Sequence, residues 1–166
     1  MRNLYEKINV AVFVSGGGTN LQAIIDAKNT NIIKSANLSL VVSNKADVYA
    51  LERAKQNNIP SLIIPKCENG YPNFETQAIE VLEKYDIDLI VLAGFMQILS
   101  KQFIDKFSGK IINVHPSLIP SFSGMGYYGL RVHEAALNYG VKLTGATVHF
   151  VNEVADGGKI IMQKAV

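Results

Sequence analysis

The stretch "INVAVFVSGGGTNLQAIIDA", residues 8–27, joins an apolar run to a helical pattern through consecutive glycines. Residues 8–15 are continuous and rich in β-branched side chains, which is typical of a strand buried on both faces of a sheet. Leu21, Ile24 and Ile25 then recur on one face of a helix. A strand that leads directly into a helix is the repeating unit of a parallel sheet, so this stretch predicts an α/β fold.

The same alternation continues along the rest of the chain. Further strands are predicted at 38–44, 60–65, 87–94, 110–115, 142–151 and 159–166, with helices between most of them. Only a few residues separate the last two strands, which predicts an antiparallel pair. We therefore expect one domain over residues 1–166, with a Rossmann-like, mostly parallel twisted sheet, helices on both faces and an antiparallel C-terminal strand pair.

Composition narrows the class of protein. The chain has 166 residues, 48% hydrophobic and 18% charged, which indicates a globular domain. Its 16 Lys and Arg are scattered, and the net charge of +2 argues against a nucleic-acid partner. Cys67 is the only cysteine, which excludes an internal disulfide and favours a cytoplasmic location. No apolar stretch approaches the roughly 18 residues of a membrane helix, so no membrane partner is expected.

The loop "SGGGTN", residues 15–20, follows the first predicted strand. Glycines let a backbone approach a ligand closely, and a helix N-terminus attracts anions, so a phosphate is one expected occupant. The alternative is a tight turn in which Thr19 or Asn20 caps the helix. Nucleotide motifs are not matched, because the phosphate-loop lysine is missing and Leu21 occupies the third glycine position of the dinucleotide pattern.

The segment "IINVHPSLIPSF", residues 111–122, places Asn113 and His115 two positions apart on a strand. Their side chains therefore share a face at the carboxyl end of the strand, where ligands bind in α/β sheets. An amide donor beside a titratable imidazole suits acyl transfer, because both can hydrogen-bond an oxygen that becomes negative. The alternative is a turn cap and a packed ring. Pro116 and Pro120 stiffen the exit and favour the functional interpretation.

Three other features leave alternatives open or predict no chemistry. His133 and His149 are predicted to be structural, His149 as a satisfied core ring, and the histidine spacing predicts no metal site. Asp156, in "NEVADGG", either forms part of a turn or delivers a carboxylate to the imidazole. The segment "GMGYYG", residues 124–129 with Tyr127 and Tyr128, is either a mobile flap or a surface loop.

Five segments together resemble the phosphoribosylglycinamide formyltransferase family. They are "VSGGGTNLQAIID", "VVSNKADVYALERA", "LAGFMQILS", "NVHPSLIPSF" and "TGATVHFVNEVADGGKIIMQKAV", which span about residues 8 to 166. The resemblance implies direct transfer of formyl from 10-formyltetrahydrofolate to the amino group of glycinamide ribonucleotide, in purine biosynthesis, through a tetrahedral intermediate. Methionyl-tRNA formyltransferase and formyltetrahydrofolate deformylase share the Asn-x-His-Pro-Ser and Asp-Gly-Gly segments, but "SGGGTNLQAI" and "SNKAD" fit the glycinamide enzyme better.

The resemblance also implies roles for single residues. Asn113 and His115 would act on the formyl oxygen and the leaving folate nitrogen, and Asp156 would pair with His115 and keep it charged. The glycinamide ribonucleotide would bind at Gly18, Thr19 and Asn20. Residues implied to bind the folate are Met96, Gln97, Ile98, Leu99, Asn113, Asn152, Glu153, Val154, Ala155 and Asp156. No metal is implied, and the enzyme would be a monomer or a homodimer.

The chain departs from the family pattern in three places. Tyr71 and Gln97 stand where family members often carry arginine, so two fixed charges that could meet the glutamate tail of the folate are missing. The family also continues past "QKAV" into a C-terminal segment, which the resemblance does not cover. Two rival functions are a formylfolate hydrolase that uses water as the acceptor and a ligand-binding module without turnover.

Overall fold

Strands and helices alternate along the computed structural model, which describes residues 6–66 and 74–166. The chain divides into two compact units, Met1–Phe95 and Met96–Val166. The prediction of a single domain over residues 1–166 stays a prediction. Cys67 and Tyr71 lie outside the described residues.

The first unit carries the parallel strands that the opening stretch predicts. Its described elements are β1 (Ile8–Val14), α1 (Thr19–Asn29), β2 (Ala36–Ser43), α2 (Tyr49–Gln56), β3 (Ser61–Ile63), α3 (Phe74–Lys84) and β4 (Leu89–Leu92). The strand order within this unit is β3-β2-β1-β4, and each of the three neighbouring pairs is parallel. The third strand is shorter than the predicted 60–65, because only three residues pair with β2.

The core of the first unit lies around the central strand β1. Ala11, Val12, Phe13 and Val14 are all fully buried, as expected for a strand covered on both faces. The ring of Phe13 meets Phe74 of α3 edge-on at 5.7 Å and Phe95 at 5.3 Å. Such edge-to-face pairs add to the free energy gained from burying the rings. The helix α3 therefore docks on β1 through aromatic packing.

The second unit is built on antiparallel strands. Its described elements are α4 (Lys101–Lys106), β5 (Ile111–His115), α5 (Leu130–Tyr139), β6 (Gly145–Phe150) and β7 (Ile160–Ala165). The strand order is β5-β6-β7, and both pairs are antiparallel. The β6–β7 pair confirms the prediction, whereas the antiparallel β5–β6 pair differs from the parallel connection expected across a helix. Ser100 caps α4 through its hydroxyl, which accepts the Phe103 N–H at 3.2 Å.

Several apolar side chains of the second unit are exposed. All six residues of β7 are exposed, and Tyr139, the last residue of α5, is 81% exposed. Val132 and Ala136 form the buried side of α5. Among residues 6–66 and 74–166, no helix has both the length and the apolar character needed to cross a bilayer.

We predict that Phe13→Ala lowers the free energy of unfolding by about 3 to 5 kcal/mol, because it removes a buried ring and two aromatic contacts. Urea unfolding followed by circular dichroism measures the change. The control is Ile32→Ala, since Ile32 is 77% exposed and its loss should change stability by about 0.5 kcal/mol or less. Equal effects of the two substitutions would contradict the assignment of the core.

Candidate active site

The register of β5 and β6 assembles a polar cluster in the second unit. Asn113 and His115 share one face of β5, as the sequence predicts, and they pair across the ladder with His149 and Thr147 of β6. His115 and His149 are 4% and 2% exposed, whereas Asn113 is half-buried. The strand pair therefore presents an amide and two imidazoles together at low exposure to solvent.

His115 has an acceptor at each ring nitrogen. Its Nδ1 lies 3.3 Å from the Asp156 Oδ2 atom, and its Nε2 lies 2.9 Å from the carbonyl oxygen of Phe122. Neither partner can donate a hydrogen bond, so a proton on either ring nitrogen has an acceptor beside it. The sequence alone left it open whether Asp156 approaches His115, and the structure brings them together.

Asp156 is held by three groups that favour its charged form. Its Oδ2 accepts the Gly124 N–H at 2.9 Å, and its Oδ1 lies 3.7 Å from His149 Nε2. Burial by itself would raise the pKa of Asp156. The interactions with His149 and the Gly124 N–H, together with the charges of both histidines, outweigh burial and hold that pKa below its ordinary value of 3.8. The carboxylate therefore stays ionised.

The turn that carries Asp156 depends on the two glycines after it. Asp156 itself has a positive φ of 54°, a conformation that Asp tolerates better than most residues. A Cβ at Gly158 would collide with the carbonyl oxygen of Phe150, and a Cβ at Gly157 would lie 2.6 Å from a Val154 methyl. Both alternatives for "NEVADGG" therefore hold: the segment forms a tight glycine turn, and that turn places the Asp156 carboxylate beside His115.

His149 is the residue whose role the sequence reasoning missed. The ring is buried and hydrogen-bonded, as predicted, with Nδ1 2.9 Å from the Phe150 carbonyl oxygen. Its Nε2, however, lies 3.3 Å from Asn113 Nδ2 and 3.7 Å from Asp156 Oδ1, so it contacts two of the predicted catalytic residues. Burial alone would lower the pKa of His149, but the hydrogen bonds to Asp156 and the Phe150 carbonyl raise it above 6.5.

Thr147 braces the segment that follows His115. Its fully buried hydroxyl donates to the Ser117 carbonyl at 2.7 Å and accepts the Ile119 N–H at 3.1 Å. Gln163 of β7 donates to the same hydroxyl at 3.0 Å. The same segment carries the carbonyl of Phe122 and the N–H of Gly124, the two backbone groups that hold the His115–Asp156 pair. These hydrogen bonds of Thr147 therefore hold the segment whose backbone groups contact His115 and Asp156.

Comparison with known proteins decides which family this constellation belongs to. Residues 8–166 match the formyl transferase family. A phosphoribosylglycinamide formyltransferase of Haemophilus influenzae is 47% identical over 159 residues, which cover 95% of this chain and 72% of that protein. The match over nearly the whole chain includes the Asn113, His115 and Asp156 segments.

The chain belongs to the formyl transferase family.

Solved structures agree with this formyl transferase assignment. A glycinamide ribonucleotide transformylase from Symbiobacterium toebii superposes with a TM-score of 0.87 at 39% identity, over 99% of this chain and 77% of that one. A formyltetrahydrofolate deformylase from Pseudomonas syringae superposes with a TM-score of 0.84 at 27% identity, over 97% of this chain and 51% of that one. The predicted formyltransferase fold is therefore confirmed.

The relatives differ widely in length. The human trifunctional purine biosynthetic protein adenosine-3 is 47% identical over 163 residues, which are 97% of this chain but 15% of that protein. A chloroplastic phosphoribosylglycinamide formyltransferase of Arabidopsis thaliana is 38% identical, and this chain spans 54% of its length. The chain thus corresponds to one part of these longer relatives.

The glycine loop of this formyl transferase lies in the first unit, and it is not capped as the turn alternative predicts. Gly18, with φ 73°, is the N-cap of α1, and Thr19 is the first helical residue. No side chain caps this helix, so capping by Thr19 or Asn20 was wrong. A Cβ at Gly18 would lie 2.7 Å from the Ala50 Cβ, which excludes any larger residue there.

The two segments expected to bind folate belong to the second unit. Met96 and Ile98 are 51% and 73% exposed, whereas Leu99 is buried and Gln97 half-buried. Residues 152–155 form an exposed turn before Asp156. Lys101 Nζ lies 3.9 Å from Glu153 Oε2, so an exposed ion pair links the start of α4 to that turn. The folate-binding roles of both segments stay predictions.

The tyrosine segment 124–129 is exposed on the same unit. Tyr127 and Tyr128 are 39% and 45% exposed, and the Tyr127 ring packs edge-on against Phe122 at 6.2 Å. Whether this segment acts as a flap stays open, although its Gly124 N–H binds Asp156. In the described ranges, no group of three or more His, Cys, Asp or Glu side chains is arranged to hold a metal.

We predict that Asp156→Asn lowers the pKa of His149 from above 6.5 in the native protein to below 6.5. The substitution removes the carboxylate that opposes burial, and burial disfavours the imidazolium. Because the native pKa is raised, protonated His149 stabilises the fold below pH 6.5, and this stabilisation disappears as the pH rises through the folded-state pKa.

Nuclear magnetic resonance titration of the His149 ring protons measures this change. Asp105→Asn is the matched control, because Asp105 is exposed and pairs with Lys101 instead. An unchanged His149 pKa in Asp156→Asn would show that the carboxylate does not hold the imidazolium.

Proposed function

We propose that the chain transfers a formyl group from 10-formyltetrahydrofolate to the amino group of 5-phosphoribosylglycinamide, a step of purine biosynthesis. The observation that carries the proposal is the buried His115–Asp156 pair beside Asn113 in a member of the formyl transferase family. Two donors beside each other suit a carbonyl oxygen that becomes negative during acyl transfer. The relatives named for phosphoribosylglycinamide supply the acceptor.

The proposed reaction is a direct transfer without a covalent enzyme intermediate. The glycinamide nitrogen attacks the formyl carbon, and the electron pair of the C=O bond moves to oxygen. Collapse of the tetrahedral intermediate restores that bond and breaks the bond to the folate nitrogen, which receives the proton that the attacking amine releases. The hydroxyl of Ser117, two residues after His115, donates to the Ser121 carbonyl, which argues against a nucleophilic role for this serine.

Asn113 and His115 stabilise the oxyanion in this proposal. The Nδ2 atom of Asn113 carries two hydrogens, so it can donate one to the oxyanion. The formyl oxygen takes the place of the Phe122 carbonyl at His115 Nε2, while Asp156 keeps the ring charged from the Nδ1 side. Each preorganised donor of this kind contributes about 3 to 4 kcal/mol to the transition state.

The binding residues are assigned by the same proposal. We assign Gly18, Thr19 and Asn20 to the nucleotide, since they form a helix N-terminus with a glycine entry. The folate residues are Met96, Gln97, Ile98, Leu99, Asn113 and the turn from Asn152 to Asp156. Gln97 is neutral, so the proposal predicts weak dependence on the length of the folate's glutamate tail.

The proposal includes the setting of the enzyme. The substrates are two small molecules, the nucleotide and the reduced folate, with no nucleic acid, membrane or metal. A cytoplasmic location follows from the substrates and the single cysteine. The active species is a monomer or a homodimer.

We predict that His115→Ala lowers kcat by about a hundredfold or more, because it removes an oxyanion donor and leaves the Asp156 carboxylate without its nearest imidazole partner. His133→Ala is the control, since His133 is an exposed histidine on α5, and its kcat should stay within about twofold. Steady-state kinetics measure both, and near-native turnover in His115→Ala would exclude the assigned role.

The decisive experiment follows deformylated folate by absorbance, with and without glycinamide ribonucleotide. Product that forms only with the nucleotide supports the transferase. Product without it would support a hydrolase like the structurally similar deformylase. Folate binding without product in either case would support a binding module.

A further inference from the structure

The glycine loop is fastened to α2 through two successive carbonyl oxygens. The Ala50 N–H donates to the Gly16 carbonyl at 3.2 Å, and Arg53 Nε donates to the Gly17 carbonyl at 2.9 Å. All of these groups belong to the first unit. The helix α2 therefore determines the direction in which two peptide planes of the loop point.

Arg53 is itself held in place from several sides. Its Nη1 donates to Gln22 Oε1 of α1 at 2.9 Å, and its guanidinium lies 4.8 Å from the centre of the Tyr49 ring. The side chain is half-buried. One guanidinium thus joins the loop, α1 and α2, and the planar fork of arginine allows it to donate in two directions at once.

The two carbonyl anchors have a consequence for the N–H groups of the loop. In a trans peptide plane the C=O and the following N–H point in opposite directions. Because the carbonyls of Gly16 and Gly17 point at α2, the N–H groups of Gly17 and Gly18 point away from it. Two successive N–H groups that point the same way at a helix N-terminus form a concave site for an anion.

The glycines themselves differ in why they are needed. Gly18 needs to be glycine for two reasons, a φ of 73° and a Cβ that would collide with Ala50. Gly16 and Gly17 have no positive φ, and a Cβ on either would meet nothing within 4 Å. Neither a positive φ nor a neighbouring side chain requires glycine at 16 and 17, and glycine at both positions leaves the backbone open to close approach by a ligand.

We propose that Arg53 is a positioning residue for the phosphate of the nucleotide substrate, acting by turning the Gly17 and Gly18 N–H groups outward rather than by touching the phosphate. The inference rests on the proposed function, which supplies a phosphorylated substrate for this loop. Arg53 determines the affinity for the nucleotide and leaves the formyl-transfer step unchanged, because it acts only on the phosphate end.

Three variants separate this role from a general effect of charge. Arg53→Met keeps the apolar stem and removes the donors, and we expect it to raise KM for glycinamide ribonucleotide about tenfold, with kcat and the folate KM unchanged. Arg53→Lys keeps the cation but reaches only one of the two acceptors, so its KM should be intermediate. Lys55→Met removes an exposed cation of the same helix and should leave KM unchanged.

Amide resonances of Gly17 and Gly18 provide a test that does not need turnover. Titration of ¹⁵N-labelled protein with ribose 5-phosphate, and with inorganic phosphate, should shift both resonances in the native protein and in Lys55→Met. The shifts should be smaller in Arg53→Lys and at least about tenfold harder to saturate in Arg53→Met. Cooperative unfolding shows that Arg53→Met is folded. If this variant does not unfold cooperatively, the resonance shifts of Arg53→Lys test the inference instead.

Two kinetic results would overturn the inference: equal KM values in native protein and Arg53→Met, or an equal rise of KM in Arg53→Met and Lys55→Met. Native resonances that do not respond to either phosphate would also overturn it. The folate assay tests the proposed function separately. If deformylated folate forms without the nucleotide, the proposed function fails, whereas the Gly17 and Gly18 shifts can still depend on Arg53.

Discussion

The antiparallel register of β5 and β6 is the constraint on which the candidate active site depends. It sets Asn113 opposite His149 and His115 opposite Thr147, so that four polar side chains meet where each strand alone would present two. A shift of one strand by one residue would turn its two side chains to the other face of the sheet and separate them from the other two. The hydrogen bonds of Thr147 to Ser117 and Ile119 add a second constraint, because they tie the segment after β5 to β6.

Electrostatic interactions determine the pKa values of the groups that this register brings together. Burial disfavours charge on Asp156 and on His149 alike, yet the pKa of Asp156 is lowered and that of His149 is raised, because the two groups interact and backbone groups complete their hydrogen bonds. A pair of this kind loses more free energy when one partner is removed than its formation contributes, since the remaining charge is left buried and unpaired. Loss of Asp156 therefore leaves both His115 and His149 without their carboxylate partner.

Glycines appear in both motifs of this formyl transferase for different physical reasons. Gly18, Gly157 and Gly158 are required by packing, because a Cβ at each would collide with a neighbour. Gly16 and Gly17 have open space around them, so their value lies in what the backbone itself can contact. The helix α2 and the side chain of Arg53 hold that backbone in one orientation. Similar glycine-rich sequences thus form the turn that carries Asp156 in one unit and the loop proposed to bind the nucleotide in the other.

The sequence by itself determined the order of strands and helices, the antiparallel pair of β6 and β7, and the Asn113–His115 face, because hydrophobic periodicity and the two-residue repeat of a strand are local properties. The antiparallel pairing of β5 with β6 was not predicted, because α5 lies between these strands and a helical connection favours parallel strands. It placed the Ser100 cap correctly but expected Thr19 or Asn20 to cap α1, because only the contact of Gly18 with Ala50 reveals the left-handed cap. Only the tertiary structure decided that His149 contacts Asn113 and Asp156. His149 lies 36 positions from Asn113 and 7 positions from Asp156. The β5–β6 register brings the first pair together and the glycine turn brings the second, so local sequence spacing predicts neither contact.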